Sequence, residues 1–380
     1  MISTIPYSQE IPLLVGRFEI SPQNVGQQDV FIIKNIEQQK YVKLSPLEMF
    51  LWKYLDGCHS IDDLNRLTLE NFGLIATDRI EKFISLLDNR SWITIENRQR
   101  PQKILFSKPT SLADYFAAIS RMRITLHGFD PFVQWLYSQF AYLFFTPLAQ
   151  ILLGCVTIVG LGIFFFKKYH LATPVCFAPD TWLQTLIFTL AYTLISLLIH
   201  ELAHALVCKH WGRQVNAAGF MLYFGMPAFF VDTTDVWMAP RSARILVAFA
   251  GPYSNLILGA IASLVSWVWG GSLIQTHLLR FAALSVFVGA FNLIPWLKLD
   301  GYYIFSEVLG EYNLQKNALL FFTSGKLFKG ILQGQGFTKK EWGYVLYGLT
   351  TVSVSIFLLY WFWLILFKNL IGWMLTFFAR

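Results

Sequence analysis

The stretch WLQTLIFTLAYTLISLLIHELAHALV, residues 182–207, is long and apolar enough to cross a membrane, and it contains His-Glu-Leu-Ala-His. Two histidines four residues apart lie on one face of a helix, about 6 Å apart along its axis. His200 and His204 can therefore bind one metal ion, and Glu201 can act as general base on an activated water. Ionisable side chains in hydrocarbon are costly unless something binds them, so within a membrane span they indicate a functional site. The stretch predicts a zinc hydrolase buried in a membrane, the alternative being a polar patch that faces other helices.

The rest of the chain supports a membrane location. Of its 380 residues, 55% are hydrophobic and 17% aromatic, which is too apolar for an ordinary soluble enzyme. Four segments are long and apolar enough to span a membrane, at residues 142–166, 182–207, 245–269 and 278–296. A fifth apolar tract, at 344–378, makes one or two spans, and a break is expected in it at Lys368 and Asn369. The predicted fold class is a mainly α, polytopic helical membrane protein with five or six spans and an N-terminal α+β winged-helix-like soluble domain.

The net charge of +7 does not indicate nucleic-acid binding, because the basic residues cluster beside the spans. These clusters are Arg121 and Arg123; Lys209 and Arg213; Arg241 and Arg244; and Lys326, Lys329, Lys339 and Lys340. By the positive-inside rule they place the N-terminal region and the loops after the second and fourth spans in the cytoplasm. Lys167 and Lys168, after the first span, disagree with this orientation. No signal-like segment lies near Met1, so we expect a multi-pass membrane protein whose N-terminal domain is cytoplasmic.

Residues 1–110 predict a small domain of short strands followed by three helices and a closing strand. Ser45 and Ser60 begin two of the helices, and a third helix starts at Thr77. This order is typical of a winged helix. Because the third helix carries mixed charges, peptide binding is favoured over DNA binding. Residues 97–108 are expected to form a polar linker, and residues 111–141 as a whole a linker with an interfacial helix. The peptidase domain is expected at 142–380.

Two ligands are too few for a catalytic zinc, which normally has three protein ligands. The third candidate is Asp300, expected at the cytoplasmic end of the fourth span after the helix-loosening Pro295. Residues 217–231 are apolar but too short to span, and they predict a re-entrant hairpin beside the active site or an interfacial hairpin without a role in substrate binding. Asp232 and Asp235 are expected to cap its exit, or else to bind a cation.

Together these motifs resemble the site-2 protease family of intramembrane zinc metalloproteases. The carriers are His-Glu-x-x-His, the later Asn-x-x-Pro-x-x-x-Leu-Asp-Gly ending at Gly301, and Gly-Pro-Tyr-Ser-Asn at 251–255. The nearest branch is the bacterial peptide zinc metalloprotease group, whose N-terminal domain is similar to peptide-recognition winged helices. The family often has a second proline just before the Leu-Asp-Gly triplet, and this chain has Lys298 there instead.

The resemblance implies Zn²⁺ on His200, His204 and Asp300, with Glu201 as catalytic base. Asn255 and Asn292 would bind substrate backbone or the oxyanion, and simple helix–helix hydrogen bonding is the equal alternative.

These features predict a zinc metalloendopeptidase that hydrolyses a peptide or membrane-protein substrate near the cytoplasmic face. The expected partners are that substrate, the lipid bilayer, and export or peptide-biosynthesis proteins, without nucleic acid. The alternative is a peptide-binding or export accessory protein that keeps the protease fold without hydrolysis. A membrane-tethered DNA-binding regulator is the weakest hypothesis, because it requires a basic recognition helix.

Overall fold

A computed structural model describes residues 10–25, 28–95, 123–170, 182–223, 226–269, 273–311, 313–325, 333 and 336–378. The chain divides into two compact units. Unit 1 contains Met1–Leu143 and Ala205–Ala243, and unit 2 contains Phe144–His204 and Arg244–Arg380. The predicted linker at 97–108 lies outside the described residues.

The N-terminal part of unit 1 has the predicted order of strands and helices. Its elements are β1 (Pro12–Leu14), β2 (Phe18–Val25), β3 (Gln28–Asn35), β4 (Lys40–Leu44), α1 (Pro46–Trp52), α2 (Ile61–Phe72), α3 (Thr77–Asn89) and β5 (Ile93–Ile95). Strands β2, β3 and β4 form an antiparallel sheet, and β1 pairs with β5. Ser45 and Ser60 begin α1 and α2 through complete capping boxes, as their sequence context predicts. The helices close over a core that includes Phe83 and Trp92.

A second sheet in unit 1 contains the predicted hairpin. Strands β7 (Ala217–Tyr223) and β8 (Met226–Asp232) form it, and β6 (Arg123–His127) pairs with β7 on the other side. Within the segment 111–141, predicted to be a linker with an interfacial helix, residues 123–127 form a strand and the helix α4 covers Asp130–Gln139. Gly128 separates the two elements with a φ of 76°, which a continuing helix does not allow. Residues 111–122 lie outside the described residues.

The two aspartates after the hairpin have different roles. Asp232 accepts a hydrogen bond from the Thr234 amide at 3.0 Å, which is the predicted capping contact. Asp235 is fully buried and accepts instead from Lys34 Nζ at 2.6 Å and from Arg213 Nε at 2.9 Å. Burial raises the pKa of Asp235, but the bonds from Arg213, the Gln214 amide and Lys34 outweigh it and lower that pKa to about 2. Asp235 therefore joins strand β3 to the segment after the hairpin through buried charges, and the capping prediction is wrong for this residue.

Unit 2 contains the membrane-spanning helices. The first four long helices are α5 (Pro147–His170), α6 (Trp182–His210), α7 (Arg241–Val268) and α8 (Leu273–Asn292). The last residues of α6 belong to unit 1. Two short helices follow, α9 (Asp300–Leu309) and α10 (Leu314–Thr323), and then the long helix α11 (Lys339–Phe378). Within the described residues, α5, α6, α7, α8 and α11 are long and apolar enough to cross a membrane. The chain is a multi-pass membrane protein.

Two predictions for unit 2 need correction. The fourth span ends at Asn292, before Pro295, so Asp300 is not on that span but is the first residue of α9. Proline lacks the amide hydrogen that a helix interior needs, and here it marks a turn between two helices. The C-terminal tract is one continuous helix, and the break predicted at Lys368 and Asn369 is absent from it. Two polar residues alone do not remove the backbone hydrogen bonds of a helix.

Candidate metal centre

The two histidines of the motif lie in the interior of unit 2. His200 and His204 are 4% and 8% exposed, and their ring centroids are 4.7 Å apart. Glu201, on the same helix, is partly buried, and one ligand atom of each of the three residues lies within 4.8 Å of the others. The helical four-residue spacing therefore brings the three side chains to one point, as the motif predicts.

Asp300 reaches the histidines from the start of α9. Its Oδ2 lies 3.0 Å from His200 Nε2 and 3.4 Å from His204 Nε2. Ligand atoms held about 2.0–2.1 Å from a tetrahedral zinc lie about 3.3 Å from one another. The structure thus brings together all three predicted ligands at a separation that suits one zinc ion.

The protons in this cluster also favour a cation. His204 Nδ1 lies 2.6 Å from the Val247 carbonyl oxygen and donates to it, which leaves a lone pair on Nε2. Asp300 Oδ2 is buried close to both rings, yet within the described residues it accepts no hydrogen bond of normal geometry. Burial raises the pKa of Asp300, but the neighbouring imidazoles outweigh it and hold that pKa below its usual value. An ionised oxygen and a nitrogen lone pair that face each other are stabilised by a shared metal ion, so these residues fit Zn²⁺.

Gly251 on α7 provides the space for this cluster. A Cβ at this position would lie 2.5 Å from His200 Nε2 and closer still to His204 Nε2. Any larger residue would occupy the volume where the ligand atoms meet. The glycine of the Gly-Pro-Tyr-Ser-Asn motif therefore leaves the space in which the candidate ligand atoms meet, a role that its spacing in the sequence does not reveal.

The two asparagines have contacts that differ from the predicted ones. Asn255 is fully buried, with its amide nitrogen 2.9 Å from His200 Nδ1 and its oxygen accepting from Ser196 Oγ at 3.2 Å. It therefore orients the imidazole of His200. A His200 that binds zinc through Nε2 carries its proton on Nδ1, so with the ion bound the Asn255 side chain would present its amide oxygen to Nδ1 and accept from it, as the partners of metal-binding histidines usually do. Asn292 donates to the Val288 carbonyl of its own helix at 2.9 Å. A role for Asn292 at the substrate or oxyanion stays a prediction.

Comparison with known proteins gives matches to two proteins whose names describe zinc metalloproteases and to one uncharacterised protein. Over 118 residues the chain is 28% identical to the "Putative peptide zinc metalloprotease protein YydH" of Bacillus subtilis, covering 30% of this chain and 45% of that protein. Over 106 residues it is 34% identical to the "Putative zinc metalloprotease Rip3" of Mycobacterium tuberculosis, covering 27% of this chain and 26% of that protein. The "Uncharacterized protein MJ0971" of Methanocaldococcus jannaschii is 39% identical over 61 residues, which is 16% of this chain and 17% of that protein.

In each case the matched stretch spans less than half of the relative's length. No family model and no solved structure matches the chain. The predicted resemblance to the peptide zinc metalloproteases and their site-2 protease-like relatives is confirmed.

Proposed function

We propose that the chain is an intramembrane zinc metalloendopeptidase of the site-2 protease type. The observation that carries this proposal is that Asp300 Oδ2 lies 3.0 Å from His200 Nε2 and 3.4 Å from His204 Nε2, among helices long and apolar enough to span a membrane. Three protein ligands with Glu201 beside them is the arrangement of a catalytic zinc, in which one position stays open for water.

The residues divide the chemistry between them. A zinc ion held by His200, His204 and Asp300 would supply Lewis-acid activation of water and of the scissile carbonyl. Glu201 follows His200 directly, so its carboxylate can take a proton from the attacking water and pass it to the leaving amine. Asn255 keeps the His200 ring in its ligating orientation, and the Val247 carbonyl does the same for His204.

The substrate class and orientation are parts of the same proposal. The hydrophobic surroundings of the site suit a peptide or a membrane segment that is cleaved near the cytoplasmic face. The basic clusters in the sequence support a cytoplasmic N-terminal domain. Its winged-helix-like order of elements suits the capture of a peptide, so we propose that it recruits the substrate.

The second candidate is a peptide-binding or export accessory protein that keeps this fold without hydrolysis. Such a protein would need neither the general base nor the metal ligands. The presence of Glu201 next to two buried histidines and a partly buried aspartate therefore favours the enzyme.

The test compares the purified wild-type chain with its Glu201→Gln variant. Zinc content is measured by mass spectrometry, and cleavage is followed on a panel of peptides and membrane-segment substrates. We expect one zinc per chain in both proteins and a turnover about 10²–10⁴-fold lower in the variant. Zinc without cleavage of any substrate would favour the accessory protein. Absence of zinc after reconstitution, or equal cleavage by both proteins, would contradict the proposal.

A further inference from the structure

A buried ion pair joins α7 to α9, the helix that begins with Asp300. Arg244 Nε donates to Glu307 Oε1 at 2.8 Å, and Arg244 Nη2 donates to Glu307 Oε2 at 3.0 Å. The side chains are only 5% and 13% exposed. Two parallel bonds from one guanidinium to one carboxylate fix direction as well as distance. The pair therefore sets both the position and the rotation of the end of α9.

The spacing along both helices relates this pair to the metal centre. Arg244 precedes Gly251 by seven residues on α7, and Asp300 precedes Glu307 by seven residues on α9. Seven residues are close to two helical turns, so each pair of positions lies on one helix face, about 10 Å apart. Gly251 and Asp300 both adjoin the Nε2 atoms of the histidines. Helices α7 and α9 thus run in opposite directions between two shared points, the ion pair at one and the candidate metal ligands at the other.

The start of α9 needs such support because of the turn before it. Asp300 follows the proline-containing segment after α8, and Leu299 at the N-cap position provides no side-chain hydrogen bond to the helix. Gly301 packs directly on the Leu293 carbonyl, where a Cβ would have no room. That contact limits the distance of α9 from α8, whereas the Arg244–Glu307 pair limits its rotation and its sliding along α7.

We propose that Arg244 and Glu307 are positioning residues that hold the Asp300 carboxylate in its ligating place. This inference rests on the proposed zinc centre and extends it two helical turns from the metal. A one-turn shift or a rotation of α9 would move Asp300 away from the histidines, since its carboxylate is on the same rigid helix as Glu307. The two side chains bind each other about two helical turns from Asp300, so their effect on its carboxylate passes through α9.

The test compares Glu307→Gln with the wild type and with Lys340→Gln as a matched control. Lys340 makes a different ion pair, to Glu311 at 2.7 Å, and lies on α11. Zinc affinity is measured by competition with a chromophoric chelator, ligand geometry by the visible absorption of the cobalt-substituted protein, and stability by thermal unfolding. We expect Glu307→Gln to bind zinc about 10–100-fold more weakly and to change the cobalt spectrum. Lys340→Gln should keep the wild-type values of both.

The outcomes separate this inference from the proposed function. A Glu307→Gln protein that is less stable but has wild-type zinc affinity and an unchanged cobalt spectrum would show that the pair is only structural, and would overturn the inference. If this variant does not fold, Arg244→Lys keeps the opposite charges and loses only the two-bond fork. The same weakening of zinc binding is expected there, and wild-type binding would overturn the inference. A wild-type chain that binds no zinc overturns the proposed function, and this inference with it.

Discussion

The substitution Gly251→Ala tests the metal centre with the addition of one methyl group. The new Cβ would lie 2.5 Å from His200 Nε2, whereas carbon and nitrogen atoms in ordinary contact are about 3.5 Å apart. The imidazoles would have to retreat by about 1 Å, several times the tolerance of about 0.2 Å for metal–ligand distances. Changes to residues that only hydrogen-bond the metal ligands lower metal affinity by about 10–100-fold. Because this change displaces ligand atoms directly, we expect zinc affinity to fall by at least about 100-fold.

The assay has a matched control on another spanning helix. A Cβ added at Gly162 on α5 would meet no atom within 4 Å, so Gly162→Ala adds the same methyl group to open space. Zinc affinity and the midpoint of thermal unfolding are measured on both variants. Alanine improves helix propensity by about 1 kcal/mol, although Pro252 after position 251 offsets part of that gain. A Gly251→Ala protein that binds zinc as tightly as Gly162→Ala would refute the assignment of the metal to this point.

The remaining predictions concern three residues, Asn255, Asp235 and Cys58. Asn255→Ala should weaken zinc binding by about 10–100-fold through the loss of its bond to His200, and unchanged binding in a chelator competition would contradict that role. Asp235→Asn should destabilise the protein by about 3–5 kcal/mol in denaturant unfolding, because it leaves Lys34 buried without its counter-charge, and Lys34→Met in the same chain should recover part of the loss. The folded-state pKa of Asp235 is about 2, below its ordinary 3.8, so its contribution of about 2 kcal/mol should be complete above about pH 4 and should be lost as the pH falls toward 2. An Asp235→Asn protein should lack that acid phase. If the N-terminal domain is cytoplasmic, a membrane-impermeant maleimide should label the exposed Cys58 thiol in inside-out vesicles and not in intact cells. The proposed orientation would be contradicted by labelling of intact cells that disappears in the Cys58→Ser variant.

Local patterns were sufficient to predict the parts of the fold that local physics decides. The capping boxes at Ser45 and Ser60 and the apolar length of the spans each depend on neighbours in the chain, and the structure agrees with them. Long-range partners could not be read in the same way. The strand at 123–127 depends on pairing with β7, a segment about 90 residues later in the sequence. Asp235 looks like a capping residue until Lys34 is placed beside it, since the two are 201 positions apart.

In the candidate metal centre, too, local patterns predict some residues, and other contacts depend on how distant parts of the chain pack. The residue types and the helical spacing identify His200, Glu201 and His204. Asp300 is the candidate third ligand from its position after the fourth span, and the resemblance implies the same residue. The helix that carries Asp300 was assigned wrongly, because a proline after a span fits both a loosened helix end and a turn between two helices. The space at Gly251 and the contact of Asn255 with His200 follow only from how α6 and α7 approach each other.

Lys167 is one of the two basic residues that disagree with the predicted orientation, and its contacts give a structural reason for its position. Lys167 Nζ donates to the Ser266 carbonyl at 2.9 Å and lies 5.3 Å from the centre of the Trp267 ring. It thus caps the last turn of α7, where backbone carbonyls lack helical partners and positive charge is favoured. Val247, whose carbonyl binds His204, is 19 residues earlier on the same helix, which corresponds to about 28 Å along its axis. That separation is close to the thickness of the hydrocarbon core of a bilayer, about 30 Å. Because its contact with the end of α7 gives Lys167 a structural role, the charge of Lys167 does not contradict the proposed cytoplasmic orientation.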